Sequence, residues 1–281
     1  MKQILDIIYK KTDIEILIAT MNRDSLDFLK SMFPFCSFTN FSILIINQTK
    51  KDRILVSDYH NVRVINSFDK GLSKSRNLAL ANAVGKILVI ADDDIIYQEG
   101  FMDKIVKIYN KFPKAVAINF CAIGLDGNLM KKYPLISKNN LNVFDILNTS
   151  SIEMTLNKEI LNTTDIRLDE NFGLGAAFEM GEEAIFLFDL KRKNKQLVFE
   201  PKVIVKHKEL TSADKKSIID RYYIYGALYK RIFNNNYIFW LIIKLFFDLK
   251  QQKLKCSSLI EVFKSANQGR EKFDTIKFEN K

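Results

Sequence analysis

Apolar residues fall along this chain in short, nearly unbroken runs separated by polar clusters. "IEILIA" (14–19) stops at "TMNRDS", and "SILIIN" (42–47), "VRVINS" (62–67) and "KILVIA" (86–91) come after it. Runs of this length, rich in Ile and Val, predict strands buried on both faces. Between them the spacing turns helical, in "LDFLKSMF" (26–33) and in "GLSKSRNLALANAVG" (71–85). The second helix carries Leu72, Ala79, Leu80 and Ala83 on one face, and Gly85 is its expected C-cap. Strands alternating with helices predict a parallel, doubly wound sheet over the first 120 residues, with "AVAINF" (115–120) continuing it.

Beyond that point the pattern loosens into the polar "DGNLMKKYPLISKNNLN" (126–142). It resumes with "SIEMTL" (151–156), the glycine-bearing "NFGLGAAFEMGEEAIFLFDLKRK" (171–193) and "LVFEPKVIVKH" (197–207). From Thr211 onward the sequence reads as helical, punctuated only by Gly226 and Gly269.

Length and composition narrow the class without identifying it. A chain of 281 residues that is 47% hydrophobic buries a substantial core. Cys36, Cys121 and Cys256 are too few and scattered for a disulfide framework or a Cys-rich zinc site, which predicts a reducing, cytoplasmic setting. The N-terminal apolar residues are broken by Asp6 and Lys10 with no small-residue cleavage site after them, so no signal peptide is expected. A formal net charge of +10 calls for an anionic partner, whether nucleotide, acidic membrane surface or nucleic acid. No Cys/His finger or RNP-like aromatic signature supports nucleic acid.

The chemistry concentrates where the fourth apolar run ends. "ILVIADDDIIYQEGF" (87–101) drives a buried strand into Asp92, Asp93 and Asp94, whose mutual repulsion needs an offset. If strand geometry persists, Asp92 and Asp94 share one side, and two carboxylates there suit Mg²⁺ or Mn²⁺ with substrate phosphates completing the shell. The other reading is a solvated turn in which Asp94 caps the next segment. A position at the carboxyl end of a parallel strand favours the ligand site. Glu182 and Glu183 fall in the first turn of a predicted helix, where the positive dipole end is expected to favour the ionised, proton-accepting form. Ordinary helix-end charge pairing is the alternative.

Taken jointly, "EILIATMNR" (15–23), "GLSKSRNLALANAVGKILVIADDDIIYQEGF" (71–101) and "FGLGAAFEMGEEAIFL" (172–187) resemble family 2 glycosyltransferases of the GT-A fold, over roughly residues 13–208. The resemblance implies an α/β fold, a Rossmann-like, mostly parallel sheet flanked by helices. It divides the chain into a nucleotide-sugar-binding half (1–120), an acceptor-binding and catalytic half (121–210) and a C-terminal helical extension (211–281). It also implies metal-dependent, inverting transfer from a nucleotide sugar, UDP-sugar by default, to a hydroxyl of a glycan or lipid-linked acceptor in cell-surface polysaccharide synthesis.

Residue by residue, the same resemblance gives Thr20, Asn22, Arg23, Asn47, Gln48, Gly71, Arg76, Asp92 and Asp93 to the nucleotide sugar. Asp92, Asp94 and His207 go to Mn²⁺ or Mg²⁺, and Gly173 and Gly175 to the acceptor. Glu183 or Glu182 becomes the base. Asn47 and Gln48 stand where many relatives carry aspartates near the nucleotide base, which leaves that base open.

The run "YIFWLIIKLFF" (237–247) is shorter than the about 20 apolar residues a bilayer span needs and is interrupted by Lys244. With Lys250, Lys253 and Lys255 beside it, it reads either as a helix lying in an anionic membrane interface or as one packing its aromatics on the core. The first reading makes the chain peripheral at the inner face of the cell membrane. Two rivals stand beside the glycosyltransferase. "ILVIADDDII" also resembles a haloacid-dehalogenase-like phosphatase, although that family prefers Thr or Val where Ile96 stands. The other rival is a GT-A-like membrane-docking protein without catalysis.

Overall fold

The computed structural model describes residues 8–207 and 216–279. The first seven residues of the stretch read as lacking a signal, and the expected helix start at Thr211, lie outside the described residues. In chain order the elements are β1 (Ile14–Met21), α1 (Phe28–Met32), β2 (Ser42–Gln48), β3 (Val62–Ser67), α2 (Leu72–Asn82), β4 (Ile87–Asp92), β5 (Ile96–Tyr97), α3 (Phe101–Lys111) and β6 (Ala115–Ile123). The chain continues through α4 (Val143–Leu147), β7 (Met154–Asn157), α5 (Lys158–Asn162), α6 (Glu182–Arg192), β8 (Gln196–Lys206), α7 (Ile218–Phe233), α8 (Tyr237–Lys250) and α9 (Leu259–Glu279).

The strands form one sheet in the order β3-β2-β1-β4-β7-β6-β8-β5. The four predicted apolar runs become β3, β2, β1 and β4, all mutually parallel. Alternation along each strand sorts their side chains into two cores. Leu17, Leu44, Leu88 and Ile90 face α2 and α6, while Ile16, Ile18, Ile43 and Val89 face α1 and α3. Burying each such side chain contributes about 1.5–3 kcal/mol, so the sheet is held from both sides.

The second half departs from a purely parallel layout. The strand β7 enters between β4 and β6 antiparallel to both, and β5 runs antiparallel to β8, while β6 and β8 are parallel. These short antiparallel insertions join the two halves of the sequence into a single sheet.

Gly85 is not the helix cap that its position suggests. The helix α2 ends on the extended Ala83, two residues earlier. A Cβ at Gly85 would lie 2.6 Å from Glu15 Cβ, so close backbone approach, not a left-handed turn, requires the glycine.

The C-terminal helices pack on the α6 side of the sheet, with Tyr222, Leu228 and Leu241 in the same core as α2 and α6. The helices α7 and α9 cross at Gly226 and Gly269, where added Cβ atoms would sit 1.8 Å from the Ala266 and Tyr223 carbonyl oxygens. Among the described residues no helix is long and apolar enough to cross a membrane.

Candidate active site

At the carboxyl end of β4 one guanidinium organises the acidic residues. Arg76, on the buried face of α2, donates from Nη1 to Glu182 Oε1 (2.8 Å) and from Nη2 to Asp92 Oδ1 (2.9 Å) and Ser151 Oγ (2.7 Å). Arg76 and Glu182 are each only 3% exposed. Both terminal nitrogens of Arg76, which resemblance gives to the nucleotide sugar, are thus engaged inside the protein.

One cation cannot neutralise every carboxylate around it. Burial first, and then the neighbouring Glu183 carboxylate, push Glu182 up to about 8, against the opposing pull of Arg76. Dipole stabilisation at a helix N-terminus is worth about 0.3–1 kcal/mol, too little to offset desolvation of this group. Burial and the Glu183 charge thus oppose the ionised state expected of Glu182, while the Arg76 guanidinium favours it. Glu183, the next residue, is half-buried and makes no side-chain hydrogen bond or ion pair among the described residues.

Asp93 faces a different set of partners. It accepts hydrogen bonds from Thr20 Oγ1 and from Arg23 Nε, the latter at 2.8 Å, and so ties the end of β1 to the end of β4. Arg23 also lies over the Phe28 ring, 5.0 Å from its centroid. Asn22, exposed beside them, takes a left-handed φ of 54° and donates its N–H to the Gln48 carbonyl at 2.8 Å. Thr20, Asn22, Arg23 and Asp93 are thus brought together as the sequence suggests.

Asn47 and Gln48, which resemblance also gives to the nucleotide sugar, are engaged within the protein. The Asn47 carboxamide is fully buried, accepting from the Arg23 N–H (3.1 Å) and donating to the Arg23 carbonyl and Asn66 Oδ1 (both 3.0 Å). Gln48 Oε1 accepts from the Gly71 N–H at 2.8 Å. Both amides brace loops. Gly71 opens α2 with a φ of 127°, which an L side chain rarely adopts.

The strand ends at Asp92, so Asp93 and Asp94 adopt turn geometry and the expected sharing of one side by Asp92 and Asp94 is lost. Pairing of Ile96 with Lys206 carries Asp94 against the end of β8, where its Oδ1 lies 3.2 Å from His207 Nε2. No cluster of three or more His, Cys, Asp or Glu arranged for a metal occurs among the described residues. Among the described residues, the expected trio of Asp92, Asp94 and His207 is not gathered into one such cluster, and Asp94 and His207 stand as a close pair. That pair fits a divalent cation: ligand atoms about 2.1 Å from an ion and at right angles stand about 3 Å apart, and a nucleotide's phosphates supply further oxygens.

Gly173 (φ 100°) and Gly175 (φ 80°) shape the turn that leads into α6. A Cβ on Gly173 would fall 2.8 Å from Ser73 Oγ and 3.2 Å from Glu182 Cδ, and the Leu174 carbonyl accepts from the Leu72 N–H at 2.9 Å. The turn packs against the start of α2 and seats Glu182 on Arg76. Ser151 escaped the sequence reading because nothing near it in the chain marks a hydroxyl that bonds an arginine 75 residues away.

The family model described as "Glycosyl transferase family 2" matches residues 15–162. No curated protein matches the chain. Among solved structures, S. aureus TarS residues 1–349 in complex with UDP-GlcNAc is similar with a TM-score of 0.59 and 14% identity, covering 90% of this chain and 79% of that one. The same S. aureus fragment without that ligand gives 0.55 and 16% identity over 79% of this chain, and this chain spans 65% of its length. The longer S. aureus TarS structure gives 0.52 at 15% identity, and only 40% of it is spanned. These likenesses establish the GT-A fold.

Proposed function

The chain belongs to glycosyl transferase family 2, and from that premise we propose that it moves a sugar from a nucleotide-sugar donor to an acceptor hydroxyl with inversion, Glu183 acting as base. The observation that carries this reading is the meeting of Asp92 from β4, Arg76 from α2 and Glu182 from α6, directly beside Glu183. That network fixes the first turn of α6, the backbone from which the Glu183 carboxylate projects. A base there takes the acceptor proton as the hydroxyl attacks the anomeric carbon from the face opposite the departing diphosphate. A single displacement inverts the configuration.

Thr20, Arg23 and Asp93 form the wall for the nucleotide at the ends of β1 and β4, and the likeness to TarS bound to UDP-GlcNAc supports a UDP-sugar as the first donor to try. Asp94 and His207 would hold Mn²⁺ or Mg²⁺. When bound, such an ion neutralises charge on the leaving diphosphate. The acceptor in this reading is a glycan or lipid-linked sugar of a cell-surface polysaccharide, met at the inner face of the cell membrane.

The haloacid-dehalogenase-like alternative falls with the family match and with Asp92, whose carboxylate is held by a buried arginine. The test is a panel of nucleotide sugars with Mn²⁺, scored for nucleoside diphosphate release with and without oligosaccharide or lipid-linked acceptors. Release from one donor, increased by an acceptor, is the expected result. No release from any donor would overturn the proposal.

A further inference from the structure

The helix α8 is amphipathic in an unusual sense, because the face turned away from the protein is also apolar. Trp240 and Leu241 pack toward the core, Trp240 stacking on Phe233 with centroids 4.4 Å apart. On the outer side Phe239 (61%), Ile242 (55%) and Phe246 (61%) are exposed, with Ile238 and Phe247 beside them. Phe144 of α4, itself exposed, extends this patch by edge contacts with Trp240 and Phe247. A contiguous apolar patch built from aromatic rings marks a surface that is covered in use.

The charges around the patch select what covers it. From residue 237 to 264 the exposed charged residues are Lys250, Lys253, Lys255 and Lys264 against Glu261 alone. The acid within α8, Asp248, is buried and held by Lys244 and by the Tyr222 hydroxyl (2.9 Å). At 14 residues the helix is too short to span a bilayer but suits a position in the plane of its surface. A second copy is the less favourable occupant, since two chains of net charge +10 repel.

We propose that α8 docks the protein on an anionic lipid surface, Phe239, Ile242 and Phe246 entering the headgroup–acyl boundary while Lys250, Lys253 and Lys255 face the lipid phosphates. The inference deepens the reading of a membrane-presented acceptor and rests on it for its purpose, although docking itself is measurable without any sugar.

The experiment is co-sedimentation of the full chain with phosphatidylglycerol-containing vesicles and with pure phosphatidylcholine vesicles, at low and high salt. Binding should require phosphatidylglycerol and weaken with salt. The double variant Phe239→Asp/Phe246→Asp should bind about tenfold or more weakly, as loss of inserted apolar area demands. The triple variant Lys250→Glu/Lys253→Glu/Lys255→Glu should lose the preference for the anionic lipid. Nucleotide-sugar hydrolysis in vesicle-free buffer should be unchanged in both, so a failure of docking and a failure of the enzymatic reading are separable. Wild-type protein that ignores vesicles would overturn the proposal. So would a concentration-dependent dimer dispersed by Phe239→Asp/Phe246→Asp, which would make the face a contact between copies.

Discussion

Arg76 and Glu182 stand 106 residues apart in the chain and meet in a buried ion pair of 2.8 Å, with Asp92 held by the same guanidinium. Removing the cation leaves the buried Glu182 and the half-buried Asp92 without their shared partner. Arg76→Met, close in shape, is therefore expected to lower stability by about 3–5 kcal/mol in urea unfolding. It should also abolish transfer, because the first turn of α6 loses its anchor. Wild-type stability in this variant would show that the network is not holding the site.

The raised Glu182 carboxyl makes stability depend on pH with a definite sign. Its folded value near 8 lies above the ordinary 4.5, so the folded state holds a proton that the unfolded chain releases earlier. The resulting stabilisation is complete below about 4.5 and is lost as pH rises through about 8. Unfolding free energy should thus decline across that window, by up to about 1.4 kcal/mol per pH unit from this group. Glu182→Gln, which keeps an acceptor for Arg76, should flatten the decline when the two proteins are compared by urea titration at successive pH values.

Glu183→Gln tests the base separately from the scaffold. The half-buried side chain makes no hydrogen bond or ion pair among the described residues, so the melting temperature and donor affinity should stay near wild type. Turnover should fall by about 10²–10⁴, the usual contribution of general-base catalysis. Retained turnover would remove Glu183 from the mechanism and return attention to Glu182.

Much of this could be read from the sequence, and the rest could not, for physical reasons. The strands β1, β2 and β4 are almost entirely buried and apolar, and such runs declare themselves locally, whereas the edge strand β3 is mostly half-buried. The acidic triplet and the Glu182–Glu183 pair are likewise visible as residue types in a setting. What the chain does not display is whom each side chain meets: Ser151 and Glu182 converge on Arg76 through the intervening sheet and the turn at Gly173. The neighbours of Asn47 in sequence likewise say nothing of Asn66, its partner on β3. The helix dipole at Glu182 favours its charge, but it is small beside the desolvation that only the folded core imposes.

The crossing of α7 and α9 makes a second stability prediction. Because a Cβ at Gly226 would lie 1.8 Å from the Ala266 carbonyl oxygen, Gly226→Ala forces the two helices apart and should cost about 3 kcal/mol or more. Gly100 provides the contrast: no atom lies within 4 Å of its added Cβ, and only the left-handed φ of 72° opposes a side chain. Gly100→Ala should cost about 1 kcal/mol. Equal losses in thermal or urea unfolding would contradict the close packing.

The acidic triplet is divided by its contacts, and that division predicts how a metal is held. Asp92 is drawn to Arg76, Asp93 to Thr20 and Arg23, and Asp94 to His207. Among the described residues, Asp94 of the three lies against a second group of metal-ligand type, the His207 imidazole. Titration of Mn²⁺ in the presence of UDP, tracked by the loss of the free-ion paramagnetic resonance signal, should therefore separate them. Asp94→Asn and His207→Ala should each weaken Mn²⁺ by about tenfold or more. Asp92→Asn should leave Mn²⁺ affinity within about threefold while lowering stability, because the buried Arg76 charge loses one of its anionic partners. If Asp92→Asn instead removes the ion as completely as Asp94→Asn, the three carboxylates act as one cage, and Arg76 must release Asp92 when donor binds.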